Sequence, residues 1–92
     1  MRTENGNYYY EVGDVLYYTC RDAKNKVYII ERIVVESIEN GIPILKNPTY
    51  YTQKRLPPQY TPSSNLLLSK EDAYASVEKD NVNFNFNIIF KR

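Results

Sequence analysis

Residues 27–38, Val27-Tyr28-Ile29-Ile30-Glu31-Arg32-Ile33-Val34-Val35-Glu36-Ser37-Ile38, decide the fold class. The run is dense in β-branched residues and contains no Gly or Pro, which favours an extended strand. One parity holds Val27, Ile29, Glu31, Ile33, Val35 and Ser37. The other holds Tyr28, Ile30, Arg32, Val34, Glu36 and Ile38. Neither face is wholly polar, and the run exceeds an ordinary strand of five or six residues. A long strand that bends and serves both halves of a small barrel accounts for this, with a bulge expected near Glu31-Arg32.

Outward from this strand, Glu39-Asn40-Gly41 supplies the positive φ angles of a tight hairpin. Ile42-Pro43-Ile44-Leu45 begins the return, with Pro43 confined to an edge or a strand start. Upstream, Val15 to Cys20 reads as a core strand after the Gly13-Asp14 turn, and the polar stretch 21–26 joins the two strands. Residues 1–7 (MRTENGN) are polar and are expected to be loosely ordered. Downstream, 49–55 reads as another strand and 56–65 (LPPQYTPSSN) as a Pro-rich loop. Leu66-Leu67-Leu68 is a short core-facing segment.

Ser69 followed by Glu71 and Asp72 is a helix start: the hydroxyl caps free N–H groups and the acids suit the positive end of the dipole. The helix is expected over about 70–79, with Ala73, Tyr74 and Val77 as its apolar stripe. Val82, Phe84, Phe86 and Ile88 alternate with Asn and predict a half-buried final strand, which Ile89 and Phe90 then interrupt.

These elements describe one mainly β domain over residues 1–92: a small SH3-like barrel of five or six antiparallel strands, with one short helix before the last. An OB-like barrel and an open antiparallel sheet are the alternatives. Ninety-two residues are too few for two independent cores, so one domain is expected.

The opening Val12-Gly13-Asp14-Val15-Leu16-Tyr17-Tyr18, the long second strand and the junction Leu67-Leu68-Ser69-Lys70-Glu71-Asp72-Ala73 resemble small bacteriophage and prophage accessory proteins. Those proteins pair a "GD-V-Y" strand with a late "L-x-x-K-E-(E/D)-A" helix. The resemblance covers about half the chain; the Pro-rich stretch and the Asn-alternating end depart from the pattern. It implies an SH3-like barrel that binds and modulates a host component, and it transfers no functional residue.

Composition restricts the chemistry. The chain has no His, so Ser-His-Asp and Cys-His arrangements and His-containing metal sites are excluded. Cys20 is the only cysteine and forms no intramolecular disulfide; in a strand it reads as a small hydrophobe. Glu31 and Glu36, five apart on a strand, face opposite sides and make no acid–base pair. Gly6, Gly13 and Gly41 are isolated, so no phosphate-cradling loop exists. The expectation is a protein that is not an enzyme and takes no cofactor or metal. With no leader-like or membrane-length apolar run, a cytoplasmic setting is expected, that of the host if phage-encoded.

Binding candidates remain. Ten Tyr and ten Asn accompany a net charge of +1, a bias that AT-rich coding also explains. Adjacent strand residues point to opposite faces, so each of Tyr8-Tyr9-Tyr10, Tyr17-Tyr18 and Tyr50-Tyr51 should leave a ring outside the core. A tyrosine-rich surface suits a protein interface. The candidate set is Tyr8, Tyr9, Tyr10, Tyr18, Tyr50, Tyr51, Lys54, Arg55 and Tyr60, with a protein as first partner and a homodimer through an edge strand a further possibility. The alternative is a nucleic-acid surface in which Lys54 and Arg55 join tyrosines that stack on bases. Near-zero charge argues against a broad duplex footprint. Pro57-Pro58-Gln59-Tyr60 also matches the short PPxY pattern, for which a rigid loop is the plainer reading.

Overall fold

The structure is a computed structural model, described here for residues 1–47 and 56–92. The fold is mainly β. Its elements are β1 (Arg2–Glu4), β2 (Asn7–Tyr9), β3 (Val15–Asp22), β4 (Val27–Glu39), β5 (Ile42–Leu45), β6 (Leu66–Leu67), α1 (Lys70–Asn81) and β7 (Asn87–Lys91). β1 and β2 form a separate ribbon. In the five-stranded sheet, β5, β4, β3 and β6 lie in that order, and β7 also pairs with β4.

β4 organises the molecule. Its whole length lies antiparallel to β3, from Val34 opposite Val15 to Val27 opposite Asp22. Its other edge is divided, with β7 along 27–31 and β5 along 35–39. Tyr28 and Ile30 face α1, where they join Ala73 and Val77 with Tyr17, Ile88 and Phe90 around them. Ile33 and Val35 have the opposite parity and pack with Leu16, Tyr10, Leu45 and Leu56. One strand thus supplies two cores on opposite sides of the sheet, which explains why neither parity of its sequence is polar.

Several expectations need correction. The described strands do not close a barrel. The sheet is not wholly antiparallel either, because β7 runs parallel to β4. The helix crossing before β7 brings the chain back in the direction of β4, as a parallel neighbour requires. The register shift in β4 falls between Val35 and Ser37, within its pairing with β5, not at Glu31-Arg32. Residues 1–7 have a regular structure that the sequence reading did not assign: β1 and β2 pair through Asn5 and Gly6, both at positive φ (51° and 80°), as in an Asn-Gly hairpin turn. Asn40 and Gly41 (φ 52° and 78°) make the corresponding turn between β4 and β5.

The end of the chain also differs. Ser69 caps α1 as its sequence predicts, accepting from the Asp72 amide, but the helix continues to Asn81. Val82 and Phe84 lie in the turn beyond it and are exposed, Val82 by 83%, so they are not inward strand residues. Asn81 closes this turn: its side chain accepts from the Phe86 amide and donates to the Phe86 carbonyl. With Asn85 at φ 56°, the chain is redirected and regular pairing starts only at Asn87. Ile88 and Phe90 then face α1, and Ile89 faces the other side. Leu68, expected in the core, is 48% exposed just after β6.

Candidate interaction surface

β3 and α1 shape an open concavity. The Thr19 amide donates to the Asn65 carbonyl at 3.0 Å, so the odd residues of β3 turn their backbone groups away from β4. β6 pairs with Tyr17 and Tyr18 and the chain leaves that edge at Asn65. Beyond this point, among the described residues, β3 is paired on the β4 side alone. An open groove of about 690 Å³ runs along the exposed edge, with Cys20 and Arg21 on the strand side, Ser64 and Asn65 at one end, and Ser76 and Lys79 on the helix side. The Ser76 hydroxyl donates to the Ser64 carbonyl at 2.7 Å and ties that end to the helix.

The floor is polar. The Tyr28 hydroxyl donates to Asp80 Oδ2, which also accepts from Arg21 Nη1 at 3.0 Å. The Arg21 guanidinium lies 4.3 Å from the Phe84 ring centre. One carboxylate on the last turn of α1 therefore binds two adjacent strands. Asp80→Ala should destabilise the protein more than Tyr28→Phe, since it leaves the buried phenol without an acceptor whereas Phe keeps the shape and deletes the donor. Thermal melts of the two variants give the order directly.

Burial pushes the Tyr28 phenol above its ordinary value, and Asp80 adds to the shift. A raised folded-state value means the contribution is complete below the unfolded value of 10 and is lost as pH rises through the folded one. The stability advantage of the wild type over Tyr28→Phe should accordingly shrink in that alkaline range. In the β3–β4 turn the shift has the opposite sign: the Asn25 side chain and amide donate to the Asp22 carboxylate and hold its value down.

The sequence candidates do not gather on this groove as a set. Tyr18 lines it and also packs against the core below β4. Tyr8 is 49% exposed on the β1–β2 ribbon. Tyr9 is half-buried beside it, under the Arg2 guanidinium and within 3.1 Å of Gln59 Nε2. Tyr10, only 6% exposed, is a core residue packed edge-on against Tyr60, so its ring is not among the outward tyrosines expected. Tyr60 is half-buried, its hydroxyl donates to the Leu66 carbonyl, and its amide donates to Tyr8. The PPxY segment is thereby attached to β2. Tyr50, Tyr51, Lys54 and Arg55, with the strand expected over 49–55, lie outside the described residues.

No family model, curated protein or solved structure matches this chain. Sequence reading passed over Ser64, Ser76, Lys79 and Asp80, because no local motif marks them. Only the packing of α1 against β3 and β4 brings them together. Among the described residues no group of three Cys, Asp and Glu is placed as metal ligands would be, and no helix is long and apolar enough to cross a membrane.

Proposed function

We propose that this chain is a non-enzymatic protein-interaction module that receives an extended segment of its partner in the β3–α1 groove. The observation that carries this reading is the open edge of β3 beside a helix wall. The outward N–H and C=O of Arg21 offer main-chain hydrogen bonds, and the groove gives alternate side chains of an added strand a place to lie. Arg21, Lys79 and Asp80 supply charges of both signs for register and selectivity. The resemblance to phage accessory proteins supports a host protein complex as the partner and modulation of that complex as the outcome.

A second reading rests on the ribbon, where the Arg2 guanidinium lies over the Tyr9 ring at 5.2 Å and Tyr8, the next residue and so on the opposite face, is exposed. A ring and a cation side by side suit an unpaired nucleic-acid base. Affinity capture from host lysate, with and without nuclease, separates the two. Ser64→Trp fills the groove from an exposed position and should abolish protein capture, while Tyr8→Ala leaves it intact. Capture that resists Ser64→Trp but disappears with nuclease or with Tyr8→Ala overturns the groove reading in favour of the ribbon.

A further inference from the structure

We infer that β7 is a self-complementary edge through which two copies of this chain associate as a two-fold dimer. The argument is one of backbone parity and is independent of which ligand the groove takes.

Val35 donates to Asp14 and accepts from Gly13, so the odd residues of β4 direct their backbone groups to β3. The even residues, Tyr28 and Ile30, therefore face β7. They lie in register with Ile88 and Phe90, and in a parallel ladder each bonds the residues flanking its partner. Asn87, Ile89 and Lys91 thus turn their backbone groups inward to β4. Ile88 and Phe90 turn theirs outward, where among the described residues no strand pairs with them. No proline, bulge or central charge protects this edge in the way that discourages strand addition.

A second β7 placed antiparallel, with the two-fold axis at Ile89, sets Ile88 of each copy opposite Phe90 of the other. All four outward N–H and C=O pairs are then used in two hydrogen-bonded pairs, and Ile89 meets its own copy in the closer, non-hydrogen-bonded position. Ile89, 39% exposed in the single chain, is the side chain such contact would cover. Asn87 falls opposite Lys91, so no like charges face each other in this register. A shift of one residue in either direction would put inward-facing groups of one copy against outward-facing groups of the other, which makes the Ile89-centred pairing the favoured one. The interface is isologous, with both helices on the same side of one continuous sheet.

Sedimentation velocity on the full chain tests this. The wild type is expected to sediment as a dimer at high micromolar concentration and to dissociate on dilution, and Ile89→Lys, which opposes two ammonium groups at the axis, to remain a monomer with an unchanged circular dichroism spectrum. Ile89→Cys in a Cys20→Ser background is expected to give a reducible covalent dimer under mild oxidation. A wild type that stays monomeric, a dimer that survives Ile89→Lys, or an Ile89→Cys protein that fails to cross-link each overturns the inference.

Discussion

Ile30→Ala is expected to cost about 3 kcal/mol and to loosen α1 together with the sheet. Ile30 has no exposed surface and lies with Ala73 and Val77, two small side chains that let the helix axis approach β4 closely. Truncation there removes buried methyl and methylene groups and leaves a void that rigid neighbours fill only in part, the setting in which such changes cost about 2–5 kcal/mol. Helix propensity will not compensate. α1 has twelve residues, a marginal length for an isolated helix in water, and its apolar stripe has no other surface to cover. Urea titration followed at 222 nm should give a lower midpoint with an unchanged slope. A midpoint equal to that of the wild type would mean that the α1 core contributes little.

Leu16→Ala should be comparably severe, about 3 kcal/mol, through the opposite face of the sheet. Leu16 is fully buried under Tyr10, Leu45 and Leu56. Its loss weakens the seat of the segment beginning at Leu56, which is otherwise held to β5 by the Leu56 amide donating to Pro43 at 3.3 Å. Limited proteolysis near Leu56 and Tyr60 should therefore accelerate in this variant well before it does in Ile30→Ala. Both variants should still unfold in one transition, since β3 and β4 belong to both cores. Two separated transitions would show that the faces are independent units.

The residues say clearly why a β fold forms. Val27 to Ile38 has no other stable use, the Asn40-Gly41 pair fixes a hairpin, and Ser69 with Asp72 starts a helix. The same Asn-Gly signal at Asn5-Gly6 was equally legible, but its flanks are short and polar, so the pattern alone favours disorder there. The final strand misleads for a definite reason. Val82, Phe84 and Phe86 alternate as strand residues do, yet Asn81 and Asn85 use their polar side chain and positive φ to make a turn, and local hydrogen bonding wins over hydrophobic period. Parallel pairing of β7 with β4 is a non-local choice that no local pattern encodes.

The candidate site was less legible. Reading tyrosines as outward rings succeeds for Tyr8 and fails for Tyr10, because parity tells which rings share a face but not which face another segment covers. The groove depends on where β6 stops and where α1 crosses, and Ser64, Ser76 and Asp80 carry no distinctive signature on their own.

Amide hydrogen exchange along β3 tests the central claim, that a stably paired strand keeps an edge open for a partner. The Cys20 amide, directed at β4, is predicted to exchange slowly, and the Arg21 amide next to it orders of magnitude faster in the free protein. Equal, strong protection at both positions would mean that the edge is already occupied, and the binding account would be wrong.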